Sequence, residues 1–171
     1  MSRRARADAD GVNASARDRE GTHERLPRRA AGATATRVIL ALMAAAGLGI
    51  DAYVHWQLAP RFDTLTGTAS PHASQGQLFR VEAAFAVIAL VLVLLIRNRL
   101  GALVAFLVAA GGLAAVLLYA VIDVGGLGPF PDMYDPAWYT EKTISAVAEA
   151  AAAIGALCLL LMPGGRRGRR D

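Results

Sequence analysis

Four long apolar runs limit what this chain can fold into more than any other feature of its sequence. They extend over residues 38–59, 78–96, 100–124 and 140–162. An α-helix of about 20 residues crosses a hydrocarbon core of roughly 30 Å, so each run is long enough to span a membrane. Hydrophobic residues make up 55% of the 171, which is more than a soluble domain of this size can bury. The sequence therefore predicts an all-α transmembrane four-helix bundle.

The segments outside the runs have a very different composition. Residues 1–36 mix arginines with acids and small residues and carry almost no large apolar side chains, which predicts a disordered Arg-rich tail. Residues 37–163 form the predicted membrane domain, and residues 164–171 form a short basic tail. A cleaved signal peptide is the alternative for the first run, but that run is longer than a signal core and no small-x-small cleavage site follows it.

Local motifs indicate where the helices begin and end. Ser74 and Gln77 have the spacing of a capping box before the second helix. Asp135 followed by Pro136 suits an N-cap and a first helical turn, so we expect the fourth helix to extend over residues 136–162. Only three residues, 97–99, separate the second and third runs, which makes these helices antiparallel neighbours.

The distribution of Lys and Arg predicts the orientation of the chain in the plasma membrane. Of the 18 basic residues, 15 lie in the two tails, at Arg37 or in the turn at residues 97–99. By the positive-inside rule, both termini and this turn are cytoplasmic, and the loops at residues 60–77 and 125–139 face outward. A nucleic-acid partner is not expected, because the basic residues do not form one continuous face.

Each predicted helix also carries an acid in its outer half. At 1.5 Å per residue, Asp51 and Glu82 lie about 21 and 22 Å from the cytoplasmic boundary, and Glu149 lies about 25 Å from it. Charged groups at such depths require a partner or a proton. We therefore predict an outward-facing polar pocket that binds a proton, a cation or a small ligand. Its predicted lining residues are Asp51, His55, Arg80, Glu82, Asp123 and Glu149.

Two other interpretations of these polar residues remain open. In the first, they simply pair the helices, as Asp51 with Arg80 or His55 with Glu82, in a structural or assembly protein with a protein partner or a second copy. Alternatively, Asp51 and His55, four residues apart, are a candidate ligand pair for a metal in a membrane enzyme. The sequence contains no phosphate-binding loop, nucleophile elbow or His-Glu-x-x-His motif, so we predict no cofactor and do not expect catalysis.

Several of these polar positions belong to segments that resemble small four-span membrane proteins of unknown function from high-GC Gram-positive bacteria. The segments are residues 51–60 (DAYVHWQLAP), 75–83 (QGQLFRVEA), 123–129 (DVGGLGP), 131–134 (PDMY) and 141–142 (EK). The resemblance covers about residues 37–162 and leaves out both tails. It implies four spans and a plasma-membrane location, and it implies no activity, substrate or cofactor.

Overall fold

The computed structural model describes residues 32–67, 73–96, 98–126 and 130–163. The chain divides into two compact units, Met1–Ile39 and Leu40–Asp171. Of the first unit, residues 32–39 are described, and all eight are helical. The helix contacts that form the core and the candidate site belong to the second unit.

The described residues form four helices and no strands, which confirms the predicted all-α class. Each helix is long and apolar enough to cross a membrane. Their bounds are Gly32–Phe62 for α1, whose last turn, Ala59–Phe62, is a 3-10 helix; Gln75–Leu95 for α2; Arg99–Val121 for α3; and Thr140–Leu161 for α4.

The first three helices differ from the apolar runs at their ends. Helix α1 is described from Gly32 onward, so residues 32–36 are helical rather than disordered, and Thr36 Oγ1 donates to Gly32 O across one turn. Residues 1–31 and 164–171, the remainder of the predicted tails, lie outside the described residues. Helix α3 stops at Val121, three residues before the apolar run does, because the backbone becomes extended at Ile122.

Side chains cap the starts of α2 and α3. The capping box predicted from Ser74 and Gln77 is present, since Ser74 Oγ accepts from Gln77 N at 3.1 Å and Gln77 Oε1 accepts from Ser74 N at 3.3 Å. Helix α2 therefore starts at Gln75, one polar turn earlier than its apolar run. Asn98 Oδ1 accepts from Leu100 N and Gly101 N and so caps α3.

The predicted start of α4 at Pro136 was wrong, because Asp135 does not cap that helix. Its Oδ1 atom accepts from Ala137 N within a local turn, and residues 131–139 remain non-helical. Lys142, on the first turn of α4, donates to the carbonyl oxygens of Asp135 and Ala137. These two carbonyl oxygens therefore accept hydrogen bonds from the Lys142 side chain rather than from helical backbone N–H groups. The helix begins at Thr140.

The core of the bundle is built almost entirely from small residues. Its buried members are mostly alanines from all four helices, such as Ala44, Ala86, Ala105 and Ala152, joined by the fully buried Leu48. Small side chains allow helix backbones to approach closely, which is the usual packing mode in membranes. One such close approach lies between α1 and α4, where a Cβ on Gly47 would collide with Ala148 O and lie 2.9 Å from Ala152 Cβ.

Three contacts bring the polar helix ends together at one end of the bundle. Arg61 at the end of α1 pairs with Glu141 at the start of α4, with 3.1 Å between Nη1 and Oε1. Arg80 of α2 pairs with Asp63, which directly follows α1. Asp135 N donates to Tyr119 O on the last turns of α3. The helices therefore alternate in direction, and this polar end is where the candidate site lies.

Large apolar side chains cover the outside of the helices. Among the most exposed are Val81, Ile88, Leu107, Val147 and Ile154. An apolar patch of this extent is unusual on a soluble monomer. Together with the length of the helices, this surface is compatible with a multi-pass membrane protein.

Candidate functional site

Three ionisable side chains meet in the interior between α1 and α4. Asp51 and His55 lie one turn apart on α1, and His55 Nδ1 is 2.9 Å from Asp51 Oδ1 and 3.1 Å from Asp51 O. On α4, Ser145 Oγ donates to Asp51 Oδ1 at 2.5 Å, and Glu149 follows one turn later. Donor atoms of Asp51, His55 and Glu149 all lie within 4.8 Å of one another. We call these three residues the acid–imidazole cluster.

Glu149 is the member of the cluster whose side chain lacks hydrogen-bond partners in the described part of the chain. Its side chain is 1% exposed, and neither carboxylate oxygen has a hydrogen-bond partner among the described residues. A buried carboxylate without a donor or a cation is strongly destabilising, so such groups normally bind a proton or a cation. Asp51 is equally buried, but it has both the Ser145 hydroxyl and the His55 imidazole as partners.

Helix α3 contributes a gap rather than a side chain to this region. An added Cβ on Gly112 would collide with Glu149 Oε1 and lie 3.3 Å from Glu82 Oε1. The carboxylates of Glu149 and Glu82 therefore converge on Gly112 of α3. The space that they occupy is open because glycine has no side chain. Glu82 is also within electrostatic range of Asp51 and His55, which agrees with the common depth predicted for Asp51 and Glu82.

A cavity of about 430 Å³ lies beside the acid–imidazole cluster, within the range typical of small-molecule sites. All four helices and the segment at residues 130–139 contribute to its walls. The wall includes the polar residues His55, Glu82 and Ser145 together with Gly112, whereas Asp51 and Glu149 do not line the cavity. The apolar walls include Leu58, Phe79, Phe85, Val116, Phe130 and Met133.

Lys142, a basic residue on the cavity wall, already has partners. Lys142 Nζ donates to two loop carbonyls, lies 3.6 Å from Asp135 Oδ2 and sits 5.5 Å from the Trp138 ring centroid. Tyr139 also lines the cavity. Burial and the nearby carboxylates of Asp135 and Glu141 raise the pKa of its hydroxyl, which therefore stays neutral.

Glu82, unlike Lys142, has no partner: no described residue forms a hydrogen bond or an ion pair with this half-buried side chain. Around the cavity, carboxyl groups therefore outnumber the basic side chains of the described residues.

Two of the six predicted pocket residues lie elsewhere. Arg80 does not reach Asp51, because its guanidinium forms a two-pronged pair with Asp63 at 2.6 and 2.8 Å. This pair lowers the pKa of the Asp63 carboxyl. Asp123 is exposed beyond the end of α3, where its Oδ1 atom accepts from Gly125 N. The predicted pairing of His55 with Glu82 is also replaced, since His55 contacts Asp51.

Sequence reasoning missed two residues that shape the site. Ser145 lies four residues before Glu149, so both face the same side of α4, and this spacing was a usable signal. Gly112 is one of several glycines within the apolar runs, and its neighbours in the sequence do not distinguish it from the others. Its specific role depends on which face of α3 points to Glu149, and the sequence does not contain that information.

Comparisons with known proteins identify no relative of this chain. No protein-family model matches it, and it has no significant similarity to curated proteins or to solved structures. The functional argument therefore depends on the fold and on the geometry of the site.

Proposed function

We propose that this chain is a plasma-membrane protein that binds a small lipophilic amine in the cavity beside the acid–imidazole cluster. The observation that carries the proposal is the unpaired Glu82 carboxylate on the wall of an otherwise largely apolar cavity. A protonated amine would supply the missing charge and up to three hydrogen-bond donors. Its apolar body would occupy the remaining space.

The walls favour a cation with an apolar body over other ligands. Phe79 and Phe85 lie on the same helix as Glu82, and aromatic faces attract cations by about 0.5–2 kcal/mol. An anionic ligand would meet Glu82 directly, with the carboxyl groups of Asp51 and Glu149 close by. Lys142, the nearest opposite charge on the wall, is held by Asp135 and Ala137.

Binding measurements on the protein in lipid nanodiscs test this proposal. Phenylbutylamine, phenylbutanol and phenylbutanoate have similar apolar bodies and differ in charge. We expect the amine to bind at least about tenfold more tightly than the other two, a difference of about 1.4 kcal/mol. E82Q should remove that preference, whereas D123N, which neutralises an exposed carboxylate, should retain it. Equal binding of the three compounds, or an unchanged preference in E82Q, would contradict the proposal.

The proposed orientation places both termini in the cytoplasm and the cavity toward the outer face. It is supported by the bias of Lys and Arg toward the tails and the turn at residues 97–99. The proposed kinship with four-span proteins of high-GC Gram-positive bacteria leads to the same location. Tags on the two termini should both resist protease added to intact cells, and digestion of either one would contradict this orientation.

A purely structural role is the competing function, and the same measurements separate it. Polar contacts between membrane helices contribute roughly 0.6 kcal/mol each without any ligand. In that case no amine would bind, and substitutions in the cluster would change stability alone.

A further inference from the structure

The acid–imidazole cluster has the donor set of a metal site, independently of any ligand in the cavity. Its three side chains supply one imidazole nitrogen and two carboxylate groups from two facing helices. All three residues are buried, with Asp51 and Glu149 each 1% exposed. Neither oxygen of Glu149 has a hydrogen-bond partner among the described residues, and one of them lies within reach of the other two donors, so this buried carboxylate is free to bind a cation there.

The distances suit a small ion. Two ligand atoms each about 2.1 Å from one metal lie about 3.0–3.4 Å apart when the angle between them is 90–109°. The 2.9 Å between His55 Nδ1 and Asp51 Oδ1 is a hydrogen-bond distance, and it is close to this range once His55 Nδ1 has lost its proton to bind a metal. All three donors already lie within 4.8 Å of one another, so a small rotation of the flexible Glu149 side chain brings its carboxylate to the same ion.

The surroundings favour a divalent transition metal over other cations. Two carboxylates balance a charge of +2 in an interior where a net charge is costly. Magnesium and calcium prefer sites made of oxygen alone, whereas imidazole nitrogen suits zinc and its neighbours. Ser145 holds the Asp51 carboxylate by a hydrogen bond, which is the usual way in which a second layer of residues orients a ligand.

We infer that Asp51, His55 and Glu149 bind one divalent transition-metal ion of the zinc type. His55 and Ser145 belong both to this region and to the cavity wall, so the ion has a route from the cavity. Three protein ligands leave at least one coordination position free, as in zinc sites that also bind water or a ligand.

Direct metal titration of the chelator-treated full-length protein in detergent tests this inference. Zn²⁺ binding is followed by calorimetry and elemental analysis, and Co²⁺ serves as a spectroscopic probe of the ligands. We expect one ion per chain, a loss of at least about 100-fold in affinity in E149Q, and a smaller loss of about tenfold in S145A. D123N should bind as the wild-type protein does. A Co²⁺ spectrum that changes in H55Q would identify the nitrogen ligand.

Thermal unfolding in the same detergent provides a control for folding. Zn²⁺ should raise the midpoint of the wild-type protein and of D123N, because a ligand that binds the folded state stabilises it. E149Q should fold but show no such rise. Less than about 0.1 ion per chain in the wild-type protein, or equal binding by E149Q, would overturn the inference. Because no amine is present, failure here leaves the amine proposal separately testable.

Discussion

The Ser145 hydroxyl donates a 2.5 Å hydrogen bond to Asp51 Oδ1 and so links α4 to α1 within the buried interior. This bond lies between residues 94 positions apart in the sequence. It holds the Asp51 carboxylate beside His55 and places the next turn of α4, with Glu149, against the same group. The arrangement of the acid–imidazole cluster depends on it.

Replacing Ser145 by alanine should destabilise the protein by about 1–3 kcal/mol, because Asp51 loses a donor while it remains buried. Equilibrium unfolding in detergent measures this difference. Thr143→Ala is the matched control, since its hydroxyl is exposed and bonds only to Tyr139 O of its own segment, and it should change stability by less than about 0.5 kcal/mol. Equal effects of the two substitutions would show that the Ser145–Asp51 bond is not structurally important.

Gly112→Ala should impair the site, whereas Gly111→Ala should not. A Cβ on Gly112 meets Glu149 Oε1, but a Cβ on Gly111 meets nothing within 4 Å. Alanine is favoured over glycine inside a helix by about 0.8–1 kcal/mol, so G111A should be neutral or stabilising. Because Glu149 Oε1 is the end of a flexible side chain, G112A should displace this carboxylate rather than the helix, so we expect weaker phenylbutylamine binding with only a small change in the unfolding midpoint. Similar behaviour of the two variants would be evidence against the convergence of Glu149 and Glu82 on α3.

Gly47→Ala should weaken the contact between α1 and α4. The new Cβ would collide with the backbone at Ala148 O, and a backbone atom cannot move away without shifting the helix. In Gly49→Ala, the nearest atom is Leu90 Cδ1 at 3.3 Å, which belongs to a flexible side chain. Overpacking of this kind costs typically about 1–3 kcal/mol, so G47A should unfold at a clearly lower temperature than G49A. The reverse order would contradict the packing described for these helices.

The Asp63–Arg80 pair should make stability depend on pH in the acid range. Because the pKa of Asp63 is lowered in the folded state, its contribution is present above the ordinary value of 3.8 and is lost as the pH falls through the folded value. Unfolding midpoints of the wild-type protein and D63N should therefore differ near neutral pH and converge below pH of about 4. A difference that persists at the lowest pH would mean that Asp63 acts through packing instead.

The number of helices and the depth of the acids could be predicted because they depend on length and helical rise alone. The apolar run sets the span, and a rise of 1.5 Å per residue places Asp51 and Glu82 at one level. Which face of each helix points inward was harder to predict. A membrane helix is apolar toward both lipid and core, so its hydrophobic pattern does not indicate the buried face.

The errors occurred where the chain leaves the helices. Arg80 is placed by Asp63, a loop residue whose position depends on the 3-10 turn at the end of α1. Asp123 lies outside the bundle because α3 stops at Val121, although apolar residues continue to Val124. Asp135 folds back on its own turn instead of capping α4. In each case a local polar contact, rather than hydrophobic length, determines the position.

The most direct test of the account maps where a lipophilic amine binds. A diazirine derivative of phenylbutylamine is photolysed with the protein in nanodiscs, and the labelled peptides are identified by mass spectrometry. We predict adducts on the cavity walls, at Phe79, Phe85 or Val116, that decline in E82Q or with excess phenylbutylamine. Labelling confined to exposed outer residues such as Ile88 and Leu107, unchanged in E82Q, would contradict the central claim that the cavity is a ligand site.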